Sequence, residues 1–145
     1  MKQVKIITAQ EAAMLVKDGD VVTTNGFVGS GQPEALTSAL EERFLESGAP
    51  KDLTLIYAAS QGNTDGRGGD HFAHEGMLKK AILGHWNAVT ALQALVNDNK
   101  IQAYNLPQGV ITHMYRDIAA HNPATFSKVG LHTFVDPRLE GGKLN

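Results

Sequence analysis

The sequence predicts an α/β fold, a mostly parallel sheet with helices on both faces in three layers. Short runs of apolar and β-branched residues, typical of buried strands, alternate along the chain with amphipathic helical patterns. The succession of strand, crossover and strand occurs three times, and parallel neighbours require such long crossovers. Ligands in these sheets bind where loops leave the carboxyl ends of the strands.

The individual elements follow from local signals. Thr8 and Glu11 form a capping box that begins the first helix. Pro33 suits the first turn of a second helix, which Gly48 ends. The other predicted elements are strands at Val21–Thr24, Leu53–Ala59, Ala81–Trp86 and Ile101–Leu106, and helices at Thr90–Asp98 and Gly109–His121.

The amino-acid composition limits the classes of protein to which the chain can belong. The 145 residues suit one compact domain, with 42% hydrophobic and 19% charged residues. A net charge of -2 gives no support to a nucleic-acid partner. Cysteine is absent, which excludes disulfides, thiolate metal sites and a cysteine nucleophile.

The two ends of the chain carry separate expectations. The opening residues 1–8 contain too short an apolar run for a signal peptide, and no stretch is long enough to span a bilayer. We therefore expect a cytoplasmic protein without a membrane partner. Residues 126–145 hold glycines, one proline and one short apolar run without a closing helix, so an incomplete domain is expected.

The loop Asn25–Glu34 is the first candidate site. Its glycines let backbone N–H groups approach a ligand closely, and the helix that follows adds the positive end of its dipole. These features suit a phosphate or an oxyanion forming on a thioester carbonyl. The spacing fits neither a dinucleotide fingerprint nor a P-loop. The alternative is a glycine loop that only turns the chain.

A second loop, Ser60–Gly69, is rich in amide and hydroxyl groups that can orient a carboxylate or carbonyl, and Arg67 could pair with a phosphate or carboxylate. The alternative is a flexible surface loop. The turn Pro107–Gly109 follows the fourth strand. We expect all three loops to meet at one rim of the sheet.

Two histidines, His71 and His74, raise the question of a metal. Their spacing is not that of a helical zinc pair, and no third ligand is suggested nearby, so we favour a surface or interface role. Glu75 is interpreted as capping a helix start. The carboxylates of the second helix are interpreted as its solvated face, and none stands out as a nucleophile: Glu34, Glu41, Glu42 and Glu46.

Several segments, in one order along the chain, carry a resemblance to a known family: Asp18–Gly29, Gln32–Leu36, Ser60–Gly68, His71–Gly76, Gly84–Trp86 and Tyr104–Gly109. The first two resemble the first signature of the class I coenzyme A-transferases, and the last resembles the third signature. The other three are similar to the propionate/acetate branch. The likeness runs from about Ile6 to Lys143.

The resemblance implies CoA transfer between a short-chain acyl-CoA and a carboxylate of the acetate/propionate class. In that family a glutamate attacks the thioester, and the enzyme then carries CoA as a glutamyl thioester. No metal or separate cofactor is implied, since CoA is a substrate. Residues 1–145 would be the amino-terminal part of an alpha-type domain, with the nucleophilic glutamate in a second half outside this chain.

The resemblance also implies the residues of a half-site. The Val28 N–H would contribute to an oxyanion hole beside Gly29, and Gln108 would orient the nucleophile. Gln61 and Asn63 would belong to the same wall, and Phe27 would line the acyl pocket.

The partners implied by the resemblance are acyl-CoA, a short-chain carboxylate and a second half or subunit, in a homo-oligomer. Alone, the chain is expected to be inactive. Two alternatives stay open: a non-catalytic acyl-CoA- or nucleotide-binding module, and a truncated remnant or assembly module that only packs against partners.

Overall fold

A computed structural model describes residues 4–145, and residues 1–3, which open the segment considered as a signal peptide, lie outside it. The architecture is α/β. The elements in chain order are α1 (Ala9–Ala13), β1 (Val21–Thr23), α2 (Glu34–Ser47), β2 (Leu53–Tyr57), a 3₁₀ helix (Gly68–Phe72), β3 (Leu78–Leu83), α3 (Thr90–Asn97), β4 (Gln102–Asn105), α4 (Gln108–Ala119) and a second 3₁₀ helix (Pro137–Leu139).

The four strands form one sheet in the order β1-β2-β3-β4, and every neighbouring pair is parallel. Parallel pairing of consecutive strands requires each crossover to pass over a face of the sheet. Helices α1, α2 and α3 and the first 3₁₀ helix pack on one another over one face. Helix α4 lies on the other face, where Tyr115 Oη donates to the Ile56 carbonyl oxygen at 3.4 Å. The predicted fold class is confirmed.

The core lies between the sheet and the face that carries α1 to α3. Alternate residues of β2 point to this side, as the two-residue period of a strand requires, and Leu53, Leu55 and Tyr57 are fully buried. Phe72 and Leu92 close the same core from the 3₁₀ helix and α3. The apolar runs therefore form strands because only a covered sheet removes them from water.

Three elements differ from the sequence-based prediction. Strand β3 begins at Leu78 and ends at Leu83, three residues earlier than expected at both ends. Lys80 is paired with both neighbouring strands although it interrupts the apolar run, and Lys79 lies at a register shift between β2 and β3. The 3₁₀ helix Gly68–Phe72 was not predicted. Glu75 begins no helix; it is exposed, and its carboxylate pairs with Lys100 Nζ at 3.1 Å.

The last residues cover the outer edge of β4. The Asn105 N–H donates to the Gly142 carbonyl oxygen at 2.8 Å, and the Leu144 N–H donates to the Ala103 carbonyl oxygen at 2.9 Å. The Asn145 side chain accepts from the Ala103 N–H at 3.0 Å. Across residues 4–145, no helix combines the length and apolar character needed to cross a bilayer.

Candidate functional site

The first glycine-rich loop forms a tight turn at the carboxyl end of β1. The Phe27 N–H donates to the Ser30 carbonyl oxygen at 2.9 Å, and the Ser30 N–H donates back to Phe27 at 3.0 Å. At the tip of this turn Val28 has φ = 53°. A β-branched residue rarely adopts this left-handed conformation, which indicates a strained backbone held by its surroundings.

The second glycine-rich loop holds this turn. The Val28 N–H donates to the Ser60 carbonyl oxygen at 2.7 Å, and the Gly62 N–H donates to the Val28 carbonyl oxygen at 3.0 Å. We expected the Val28 N–H to face an oxyanion. In the structure it instead donates its hydrogen bond to the second loop. Within residues 4–145 the Gly29 N–H makes no hydrogen bond, and it stands at the exposed tip of the turn.

The three predicted loops and a fourth segment, which follows β3, line one cavity of about 400 Å³ at the carboxyl rim. Four of the six residues predicted for the site are in its wall, together with five others: Phe27, Val28, Ser60, Asn63, Thr64, His85, Asn87, Ala88 and Gln108. The structure therefore brings Val28 and Gln108 to the same cavity. Gly29 lies beside it, since a Cβ at this position would be 3.8 Å from Asn63 Nδ2.

Gln61 is directed to a neighbouring cavity of about 650 Å³. Gln61 is 2% exposed and lines this second cavity together with Gln108 and Tyr115. Gln108 borders both cavities and stands at the first turn of α4. Gln108 is therefore the residue that the described linings of the two cavities share.

Gly84 explains how Gln108 reaches this position. A Cβ at Gly84 would collide with the Ala58 carbonyl oxygen and would lie 2.6 Å from Gln108 Cγ. The ends of β2 and β3 and the start of α4 thus meet where only a hydrogen atom fits. The turn Pro107–Gly109 was predicted to meet the other two loops at the rim. The close contact between Gly84 and Gln108 allows the turn to lie there.

The carboxylates of α2 correct one expectation. Glu34 and Glu41 were assigned to a solvated helix face, yet both contact His71. Glu41 Oε2 lies 2.6 Å from His71 Nδ1, and Glu34 Oε1 lies 2.8 Å from His71 Nε2. His74 Nε2 lies 2.6 Å from Glu41 Oε1. Only Glu42 and Glu46 of this set are exposed.

The electrostatics of this cluster follow from burial and pairing. Burial alone lowers the pKa of His71, but hydrogen bonds that Glu34 and Glu41 accept from its ring outweigh this effect and hold the pKa above 6.5. Burial alone raises the pKa of Glu41, but His74 and His71 outweigh it and hold the pKa below 4.5. The histidines therefore have ion-pair partners inside the protein. Among residues 4–145 no group of three or more His, Asp or Glu side chains is arranged to hold a metal ion.

Arg67, considered as a ligand for phosphate or carboxylate, pairs within its own loop. Arg67 Nε donates to Asp65 Oδ2 at 2.7 Å, and both side chains are on the surface. The sequence reasoning missed His85 and Asn87, which line the 400 Å³ cavity. The predicted strand Ala81–Trp86 placed His85 inside a strand, whereas β3 ends at Leu83 and both residues follow its carboxyl end, where ligands bind in such sheets.

Residues 6–143 match the family described as coenzyme A transferase. The chain belongs to the coenzyme A transferase family. The chain is 42% identical over 141 residues to the caffeate CoA-transferase of Acetobacterium woodii. It is 40% identical over 145 residues to the acetate CoA-transferase YdiF of Escherichia coli K12. These alignments cover 97% and 99% of this chain and 27% of each relative.

Two solved structures of the E. coli O157:H7 acyl-CoA transferase YdiF are similar to the fold. The apoenzyme superposes with a TM-score of 0.92 at 39% identity, over 98% of this chain and 28% of that chain. The thioester complex with CoA superposes with a TM-score of 0.91 at 39% identity, over 96% of this chain and 29% of that chain. The chain thus spans less than a third of the length of these relatives.

Proposed function

We propose that this chain supplies the amino-terminal half-site for CoA transfer between a short-chain acyl-CoA and a carboxylate of the acetate/propionate class. One observation carries the proposal: in a chain of the coenzyme A transferase family, Val28, Asn63 and Gln108 line a single cavity at the carboxyl rim of the sheet. The thioester complex with CoA of a similar transferase supports this class of substrate.

The proposed chemistry is covalent catalysis by a glutamate that lies outside this chain. The carboxylate attacks the acyl-CoA carbonyl and expels CoA thiolate, which leaves a mixed anhydride. The thiolate attacks the glutamyl carbonyl and releases the first carboxylate. The accepting carboxylate then attacks the glutamyl thioester, and the expelled thiolate attacks the new anhydride to give the second acyl-CoA and free glutamate. CoA is a substrate throughout, and no separate cofactor enters.

The residues of this chain would bind and orient the reacting groups. The Gly29 N–H, which makes no hydrogen bond within residues 4–145, would donate to the oxygen that becomes negative as the thioester carbonyl is attacked. The Val28 N–H would join it after release from Ser60. Gln108 would orient the glutamate from the boundary between the two cavities, while Gln61 and Asn63 would hold the substrate carboxylate.

Phe27 is proposed as the apolar wall for a short acyl chain. Its side chain is 66% exposed and lies at the mouth of the 400 Å³ cavity. Contact with an acyl group, or with the half of the site outside this chain, would cover it. We further propose that residues 1–145 join a nucleophile-bearing half in a cytoplasmic homo-oligomer.

The test is a chimera in which residues 6–143 replace the matching segment of YdiF, assayed for CoA exchange between acetyl-CoA and propionate. We expect the chimera to transfer CoA and Gln108→Ala to lower kcat about 100-fold, since positioned polar groups contribute on this scale. The matched control is Gln102→Ala, an exposed glutamine at the start of β4.

Two results would contradict the proposal. A folded chimera that binds acetyl-CoA without transferring CoA would indicate a binding module instead. A Gln108→Ala effect below about threefold would remove Gln108 from the site.

A further inference from the structure

His71 lies between two carboxylates that together occupy both of its ring nitrogens. Nδ1 is 2.6 Å from Glu41 Oε2, and Nε2 is 2.8 Å from Glu34 Oε1. An ionised carboxylate only accepts hydrogen bonds, and a neutral imidazole carries a single N–H. With both carboxylates ionised, the observed geometry requires both ring nitrogens to donate. The His71 side chain is only 10% exposed, so water does not replace either partner easily.

Glu34 connects this histidine to both glycine-rich loops. Its second oxygen, Oε2, accepts from the Gly68 N–H at 3.1 Å and from Gln32 Nε2 at 3.2 Å. Gln32 lies near the end of the first loop, and Gly68 lies near the end of the second. One carboxylate thus joins the two loops, and His71 fixes the position of that carboxylate.

The backbone that connects Gly68 to the cavity is tightly packed. A Cβ at Gly68 would lie 2.6 Å from the Gln61 carbonyl oxygen, and the Gly69 N–H donates to that same oxygen at 2.7 Å. Gln61 is flanked by the two residues whose backbone groups hold Val28, namely Ser60 and Gly62. A shift of Gly68 would therefore be passed through this short, tightly packed segment to the turn at Val28.

We propose that His71 is a positioning residue for the cavity, acting through Glu34 to hold the two glycine-rich loops against each other. Its consequence for catalysis rests on the proposed CoA transfer, but the placement of the loops does not. His71 itself is buried behind the loops and lines neither cavity.

The groups that face His71 within residues 4–145 are few. Glu34 and Glu41 approach it from α2, and Asp70 is its neighbour in the 3₁₀ helix. His74 contacts the same Glu41 at the oxygen that His71 does not use. When His71 loses a proton, a ring lone pair faces a carboxylate, and one of the two contacts is lost. The loops are therefore held below the pH at which His71 titrates and loosened above it.

The first measurement uses the 145-residue chain and NMR. In the wild type at pH 6.5 we expect ¹⁵N shifts of His71 that show protons on both ring nitrogens. In His71→Gln we expect the Gly68 amide to lose at least about tenfold of its protection from hydrogen exchange, because the acceptor Glu34 is no longer held. The matched control, His74→Gln, removes the other partner of Glu41 without touching Glu34 and should change Gly68 protection less than about threefold.

A neutral His71 at pH 6.5, or Gly68 protection in His71→Gln equal to the wild type, would overturn the proposal. If His71→Gln does not fold, the test is made on the wild type as a function of pH. We expect the protection of the Gly68 amide from hydrogen exchange to fall as His71 loses its proton. A protection factor that does not change with pH would overturn the proposal.

The second measurement uses the chimera with YdiF. We expect His71→Gln to lower kcat at least about tenfold and to remove the decline of kcat on the alkaline side, whereas His113→Gln, an exposed histidine of α4, changes neither. An unchanged kcat and pH profile in an active chimera would overturn the positioning role. An inactive wild-type chimera would contradict the CoA-transfer proposal, while the NMR result on the loops would still decide the role of His71.

Discussion

Asp70 Oδ1 accepts a hydrogen bond from the Leu92 N–H, 22 residues further along the chain, at 3.2 Å. It also accepts from the Ala91 N–H at 3.1 Å. Helix α3 has Val89 at its N-cap and no local side-chain cap. The 3₁₀ helix therefore supplies from a distance the acceptor that helix starts normally find in their own sequence.

We predict that Asp70→Ala destabilises the chain by about 1–2 kcal/mol, the usual scale for losing an N-cap. Urea unfolding measures the change, and hydrogen exchange at Ala91 and Leu92 locates it. The control is Asp98→Ala, an exposed aspartate at the other end of α3, where we expect a change within about 0.5 kcal/mol. Equal effects of the two substitutions would contradict a capping role.

Val28→Gly separates strain from function. Glycine adopts φ = 53° without penalty, so the substitution removes strain of order 1 kcal/mol from the turn and leaves the unfolding midpoint unchanged or raised. The same substitution removes the side chain from the cavity wall and should lower kcat/KM of the chimera about tenfold. His132→Gly, at another exposed left-handed position away from the cavity, is the control and should leave kcat/KM unchanged. Loss of stability in Val28→Gly would show that the turn is unstrained.

Two glycines at the rim should respond in opposite ways to the same substitution. Gly84→Ala forces a Cβ against the Ala58 backbone and Gln108, so we expect destabilisation of about 1–3 kcal/mol. Gly109→Ala meets nothing within 4 Å and lies in the first turn of α4, so we expect a gain of about 0.4–1 kcal/mol. Urea unfolding compares the two variants directly. A neutral Gly84→Ala would mean that the strand ends separate readily.

The stability of the chain should depend on pH through Glu41 and His71. The pKa of Glu41 is lowered in the folded state, so its contribution is present above pH 4.5 and lost as the pH falls through the folded pKa. The pKa of His71 is raised, so its contribution is present below pH 6.5 and lost as the pH rises through the folded pKa. In Glu41→Gln we expect the free energy of unfolding to fall less at acidic pH (the acidic limb of the stability profile). We expect its loss at alkaline pH (the alkaline limb) to begin at a lower pH.

Urea midpoints measured from about pH 2 to about pH 9 test this prediction. The control is Glu46→Gln, an exposed glutamate on the same helix, which should leave both limbs in place. An alkaline limb that does not move in Glu41→Gln would contradict the pairing of Glu41 with His71.

Most of the fold could be predicted because its signals are local. The capping box of Thr8 and Glu11 is present as expected, and Gly48 ends α2 with φ = 70°. Apolar runs located all four strands. The bounds and register of β3 could not be predicted from apolar runs. Lys79 is exposed and Lys80 is half-buried although both lie in the strand, because pairing depends on the backbone of β2.

The loops that line the candidate site could be predicted from the sequence, whereas the contacts that hold those loops could not. Parallel topology places the loops after the strands together, which brought Val28, Asn63 and Gln108 to one cavity. The contacts of Glu34 with His71 join residues 37 positions apart, and no local pattern records them. A weak signal existed in the seven-residue spacing of Glu34 and Glu41, which puts both on one face of α2.

The covering of β4 by the final residues has a consequence for assembly. The outward backbone groups of Ala103 and Asn105 are already satisfied by Gly142, Leu144 and Asn145. Within the described residues no strand pairs with the outer side of β1 at Val21–Thr23. A further strand, from this polypeptide or from another, can therefore pair directly with β1, whereas the edge of β4 is already paired with the segment 142–145.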